Sequence, residues 1–344
     1  MPAPHRPSTP RPSSAWTLLV GVLALLAACG GDGGASDPAT DGAGAATGPV
    51  SIENCGEQVE FASPPGRVVV LARAETFALM VDLGVADRVV ARAGAFPDVY
   101  FDAEGQAAVD AAESLGEDLD ESGHLQISQE AILATDPDLV VGVPDGIDRD
   151  GLEDQGITVL DQPANCPEGI EEVSYDAIYD YVDAYGSLFG VEDRAREVVG
   201  ELQDRIAAAE AMASEAGEER TAAILYPTVG GGTTYAYGTL SMSHRQIESA
   251  GFTNVFGDTD ERVFEVTAEE LIARDPDVLL LLHVDGGPGP VEDAVVQLPG
   301  ADGITAVRDG AVMAQLFSFS EYLSPLIVDG LERIVETLVL GEGG

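Results

Sequence analysis

The residues best suited to chemistry in this chain are an arginine and a spread of aromatic groups placed at the ends of apolar runs. Arg73 directly follows Arg67-Val-Val-Val-Leu-Ala72. A guanidinium is always charged and can fork onto the paired oxygens of a carboxylate or hydroxamate. Tyr226, Tyr235 and Tyr237 fall in one stretch rich in Gly, Thr and Ser. They present flat apolar faces tipped with hydroxyls, which suits a bulky guest that is part apolar and part oxygen-rich. Phe96 and Tyr100 in the first half, and Phe317, Phe319 and Tyr322 near the end, extend that set. His244, Arg245 and His283 are further polar candidates in the second half. Each has a plainer reading: Arg73 as a surface arginine, the aromatics as core filling, the histidines as polar loop residues.

Covalent and metal chemistry find less support. There is no His-Glu-x-x-His, no Gly-x-Ser-x-Gly and no complete EF-hand spacing. Gly230-Gly-Gly-Thr-Thr fits neither the dinucleotide nor the P-loop pattern and reads as a flexible loop. His124, His244 and His283 could form a zinc or manganese site if they converged. His124, however, precedes a helix expected over 129–135, which sets it toward the opposite end of the strands. The expectation is a binding protein, not an enzyme, with no resident cofactor and no bare-metal site.

The opening residues read as an export signal. Arg6 and Arg11 precede an apolar run from Trp16 to Ala28 that is too short for a permanent membrane helix. The run ends Leu26-Ala-Ala-Cys29, which resembles a bacterial lipobox with Cys29 as the lipid-bearing residue after cleavage; the alternative is an ordinary signal peptide with an incidental cysteine. Residues 30–48 are Gly, Ala, Asp, Ser, Thr and Pro with little to bury, and residues 29–49 read as a disordered tether. The protein is thus expected on the outer face of the cell membrane, held by a lipid and not spanning it. In that oxidising setting Cys55 and Cys166 are expected to form a disulfide, the alternative being two unrelated buried thiols. The formal charge is −45 and every basic residue is arginine. Nucleic acid is excluded as a partner, because phosphate binding needs a basic surface. Such acidity either draws cationic ligands to a cleft or simply keeps a solvated surface soluble.

Stepping along the chain, Arg67–Ala72, Arg88–Arg92, Leu139–Val143 and Gly156–Leu160 read as short buried strands, alternating with helical patterns. Ser128 is placed to cap the helix after it. From Tyr175 to about Gly217 there is no proline and the apolar residues recur at helical spacing, with Gly186 and Gly190 marking a break. Ala222–Tyr226, Val278–His283 and Gly310–Ala314 then restart the strand pattern, and Thr267 with Glu270 forms a capping box. Residues 127–139 align without a gap on 266–278, each copy containing Asp-Pro-Asp. The expected fold is α/β: two Rossmann-like lobes with mainly parallel sheets, residues 50–173 and 218–344, joined by helix over 174–217, with a ligand cleft between. Ligands in such sheets sit beyond the strands' carboxyl ends, here the loops 73–75, 94–100 and 144–149.

Arg67-Val-Val-Val-Leu, Leu83-Gly-Val-Ala-Asp-Arg88, the two Asp-Pro-Asp strands, Ser249-Ala-Gly-Phe-Thr-Asn254 and Gly303-Ile-Thr-Ala-Val-Arg-Asp-Gly310 occur in an order that is itself informative. By these pieces the chain resembles a class III substrate-binding protein of an ABC importer, in the ferric-siderophore and vitamin B12 group. The resemblance covers most of residues 50–340. It implies a monomer that closes modestly around a small molecule and docks on a membrane permease through one glutamate per lobe. Glu248, three residues before Gly251, matches the second-lobe glutamate. The matching first-lobe place is Ala78, six residues before Gly84, so Glu75 is the nearest candidate there. An iron(III)–hydroxamate complex, often neutral or cationic, is the expected ligand; a corrinoid or haem is the alternative, and zinc or manganese a more distant one.

Overall fold

The computed structural model describes residues 49–118, 125–144, 146–166, 173–217, 219–284 and 287–341. The signal segment, Cys29, most of the tether and His124 lie outside the described residues. The first described element is a hairpin, β1 (Val50–Asn54) and β2 (Glu57–Phe61), paired antiparallel. Cys55 and Gly56 turn between them with φ 51 and 74, the paired positive angles that suit the twist of a two-residue hairpin. Cys55 is bonded to Cys166, closing a loop with a sequence separation of 111.

The first sheet contains β3 (Val68–Leu71), β4 (Val89–Ala93), β5 (Glu113–Ser114), β6 (Leu139–Val141) and β7 (Thr158–Leu160). Its order is β5-β4-β3-β6-β7 and every pairing is parallel. The strands are short unbroken apolar runs because both faces are covered. Val68 and Val70 point to one apolar cluster and Val69 and Leu71 to another, as a period of two requires.

The second sheet contains β8 (Arg220–Pro227), β9 (Thr234–Tyr237), β10 (Phe252–Asn254), β11 (Val263–Val266), β12 (Val278–His283) and β13 (Val312–Leu316). Its order is β11-β9-β8-β12-β13, with β10 also paired to β8. The β10, β12 and β13 pairings are parallel, whereas β9 and β11 are antiparallel. Tyr235 and Tyr237, in the stretch rich in Gly, Thr and Ser, thus belong to a strand that folds back on β8.

The repeated Asp-Pro-Asp segments do the same work in each lobe. Ser128 and Thr267 cap the preceding helices by accepting from Ala131 N and Glu270 N. Asp136 and Asp275 both take left-handed angles, φ 51 and 43, which end those helices. Asp138 then accepts from Gly66 N and Arg67 N at 2.8 and 3.0 Å. Asp277 accepts from Thr221 N and Oγ1 at 2.8 and 2.9 Å. Each second aspartate thus fixes the start of the neighbouring strand, β3 or β8, against β6 or β12.

Between the sheets run helices Tyr175–Phe189 and Glu192–Ala216. Gly190 closes the first in a left-handed conformation, φ 70, which glycine adopts without strain. Gly186 has a different task. A Cβ there would meet the Ala195 Cβ at 2.3 Å, so its hydrogen lets the two helices touch. The lobes also share a core. The largest apolar cluster extends from Val70 and Phe77 through Tyr185 and Leu202 to Ile224 and Leu280, so burial continues beneath the cleft from one lobe into the other.

Candidate ligand-binding site

The carboxyl ends of strands from both sheets surround one cavity of about 660 Å³. From the first lobe come residues 72–75 after β3, Gly94, Ala95, Pro97 and Tyr100 after β4, and Val143-Pro144 after β6. From the second come Tyr226, Tyr235, Tyr237, Val284 after β12, and Phe317, Ser318 and Tyr322 after β13. Gly142 lets the first-lobe wall form: it has φ 88, and a Cβ there would lie 2.3 Å from Leu71 O and 2.9 Å from Arg73 Cγ.

Arg73 precedes helix Ala74–Asp82 and points along the cavity wall. Its Nε and Nη2 both donate to Asp161 Oδ1 at 3.2 Å, and Nη1 donates to Ala72 O at 2.9 Å. The guanidinium lies 5.5 Å from the centre of the Tyr322 ring, within cation–π range. Burial works against its charge, but Glu75 and Asp161 outweigh that and leave its pKa raised. Tyr322 reaches this position with φ 69, a left-handed angle that a bulky side chain rarely adopts. Its ring meets Phe317 at 5.2 Å, and Phe317 meets Tyr226 at 6.2 Å, both edge to face. Tyr226 and Tyr235 are direct partners across the β8–β9 pairing; Tyr237, two residues on, shares their face.

The floor joins the lobes. Tyr100 OH accepts from Ser318 N at 3.3 Å, and the Tyr100 ring packs edge-on to Phe319 at 4.9 Å. Burial pushes the Tyr100 phenol up to about 12. Glu75 Oε2 accepts from Ser318 Oγ at 3.3 Å, while Oε1 is buried with no hydrogen-bond partner. Burial raises the Glu75 carboxyl to about 7 although Arg73 pulls the other way. Behind the tyrosines, the fully buried Glu321 is paired to Arg262 at 2.7 Å and accepts from Ser243 Oγ at 2.6 Å.

The structure thus brings Arg73, Tyr100, Tyr226, Tyr235, Tyr237 and Tyr322 together, with Phe317 beside them. Other candidates are placed elsewhere. Phe96 is 8% exposed and packs on Phe77 under Arg92, anchoring a loop whose neighbours Ala95 and Pro97 do line the cavity. Phe319 is 2% exposed, between Tyr100 and Arg333. His283 ends β12 buried, and the cavity is reached by Val284. His244 and Arg245 lie on helix Met242–Ser249, away from the cavity wall. His244 contacts Asn254 and Glu248, and Arg245 stacks on Tyr175.

Of the docking candidates, Glu248 is 46% exposed in its side chain. Glu75 is 2% exposed and lines the cavity, so its expected place on an outer docking surface is corrected. A helix that starts directly after a sheet strand turns its first turn to the strand ends, and Arg73-Ala-Glu75 carried that signal. Ser318, Glu321, Arg262 and Asp161 were not singled out from sequence; Asp161, directly after β7, was the most legible of them. Among the described residues no group of three or more His, Cys, Asp or Glu side chains is arranged to hold a metal ion. None of the described helices is long and apolar enough to cross a membrane.

A family model described as periplasmic binding protein matches residues 69–314. The chain belongs to that family. It is a class III periplasmic binding protein of ABC transport, a family of transport substrate-binding proteins and not of enzymes. No curated protein matches its sequence. Among solved structures it is similar to an ABC-type Fe3+-hydroxamate transport system protein from Saccharomonospora viridis, at 56% identity and a TM-score of 0.77, covering 84% of this chain and 98% of that one. The periplasmic heme-binding protein of Roseiflexus sp. RS-1 shares the fold at 18% identity and a TM-score of 0.61, covering 80% and 98%. So does the vitamin B12 binding protein of Vibrio cholerae, at 16% identity and a TM-score of 0.57, covering 82% and 99%.

Proposed function

We propose that this periplasmic binding protein captures an iron(III)–hydroxamate siderophore and hands it to an ABC permease, tethered outside the membrane through a lipid on Cys29. The observation that carries this reading is the cavity itself: an aromatic wall of Tyr226, Tyr235, Tyr237, Phe317 and Tyr322 facing one guanidinium, Arg73. Such a wall packs on the apolar linkers of a hydroxamate while arginine meets its oxygens. The likeness to the Fe3+-hydroxamate transport protein supports the same ligand class. The phenols speak against bare iron as the guest. Burial raises Tyr100, Tyr237 and Tyr322, and nearby Glu75 or Glu321 adds to it. That favours a metal arriving with its own oxygen ligands. Glu248 is the proposed permease contact of the second lobe.

A thermal-shift panel on residues 50–344 tests the reading with ferrioxamine B, a ferric catecholate, cobalamin, haem and zinc. A ligand at 100 times its dissociation constant adds about 2.7 kcal/mol of stability. The hydroxamate alone is expected to shift the melt; a shift with haem, cobalamin or zinc alone refutes the assignment. Glu248→Ala is expected to keep binding and lower cellular uptake, and unchanged uptake removes its docking role.

A further inference from the structure

Among the described residues that line the cavity, Arg73 and Glu75 carry the ionisable charges. They are not equivalent. Arg73 is committed to Asp161, which balances it. Glu75 has one oxygen on Ser318 and the other, Oε1, buried without a partner. The groups that face it from its surroundings are Arg73, Asp161, Tyr100, Tyr181 and Tyr185, Tyr322 and Ser318. None but Arg73 is a cation. An ionised Glu75 therefore leaves the wall with an odd negative charge, and burying it unpaired is unfavourable.

We propose that Glu75 is a specificity-determining residue, seating a protonated amine of the guest against its unpartnered carboxylate oxygen while Arg73 meets the guest's oxygens. The inference rests on the siderophore reading above and narrows it to ferric hydroxamates carrying a free ammonium. Metal-bound hydroxamate oxygens only accept hydrogen bonds, so they cannot satisfy Oε1. A neutral amide N–H donates but brings no charge. An ammonium does both, and a charge-assisted bond in a water-poor site is the strong kind. The raised carboxyl, at about 7, gives the selection a pH dependence: a neutral Glu75 below that value has no charge to match, while an aliphatic ammonium stays protonated throughout.

The test is calorimetric titration of the mature protein with ferrioxamine B, which ends in a free ammonium, and with its N-acetyl derivative. Both are measured near pH 8 and near pH 5, for the wild type and for Glu75→Gln. The wild type is expected to prefer the ammonium form by about tenfold near pH 8, ~1.4 kcal/mol, and to approach parity near pH 5. Glu75→Gln is expected to show parity at both. Equal binding of the two ligands by the wild type near pH 8, or a preference that survives Glu75→Gln, overturns the inference and leaves the siderophore reading standing. Failure of both ligands to bind the wild type overturns both readings. Should Glu75→Gln not fold, as its melt reports, the wild-type pH comparison decides alone.

Discussion

Replacing Glu75 by glutamine should change the pH dependence of the empty protein's stability, and the structure sets the size. The carboxyl is displaced from its ordinary 4.5 to about 7, first through burial and against the pull of Arg73. In that window the folded chain holds a proton that the unfolded chain has released. Its contribution is therefore greatest below 4.5, declines as pH rises toward 7, and is flat above. At 1.36 kcal/mol per pH unit the loss is about 3 kcal/mol. Glutamine keeps an oxygen for Ser318 and cannot ionise. The new amide's unmet donors destabilise equally at every pH, so they cancel when two pH values are compared. The assay is denaturant unfolding of apo wild type and Glu75→Gln near pH 5 and near pH 8. The variant should gain ~3 kcal/mol relative to wild type between the two, on the order of 5 °C in melting temperature for a chain of this size. Asp82, also raised to about 7 by burial and by Asp329, lowers both proteins alike and drops out. An identical wild-type-minus-variant difference at both pH values refutes the assigned burial of an ionising Glu75.

Arg73→Ala removes both the partner of the part-buried Asp161 and the cation on Tyr322; breaking such a pair is expected to destabilise by about 3–5 kcal/mol, and ligand titration should show at least tenfold weaker binding. Gly142→Ala puts a methyl 2.3 Å from Leu71 O at a φ of 88; a loss of roughly 2 kcal/mol or more is expected in denaturant unfolding, and a neutral result contradicts the described β3–β6 approach. Cys55→Ser with Cys166→Ser opens the loop of separation 111; the chain-entropy model gives about 4–5 kcal/mol of lost stability. Mass mapping of the unreduced wild type should recover the linked pair, and two free thiols end that assignment.

Much of the architecture was legible because its signals are local. A cap such as Ser128 or Thr267, a left-handed glycine at position 190 and the Asp-Pro-Asp repeats act within a few residues of themselves. They therefore read the same in sequence and in structure. So do unbroken apolar runs such as Val278–His283, because a doubly covered strand leaves no polar alternation. Arg73 and Tyr226 were legible as cavity residues for a related reason: one follows a strand and the other lies at a strand's carboxyl end, and parallel sheets place those ends at the cleft.

What tertiary structure decided was the direction and company of individual side chains. Phe96 and Phe319 turn inward to pack on Phe77 and Tyr100, while Ala95, Pro97 and Ser318 beside them face the cavity. Tyr235 and Tyr237 join Tyr226 through antiparallel pairing across a glycine-rich turn, a register that composition does not encode. Glu75, expected to meet a permease from the outer surface, lies instead in the cavity wall, where Ser318, distant in the chain, donates to it. From its sequence alone this protein reads as an α/β chain of two echoing halves with a binding crevice. Which groups line that crevice, and which carboxylate is left without a partner in it, depended on contacts between segments far apart, whose energies no short stretch contains.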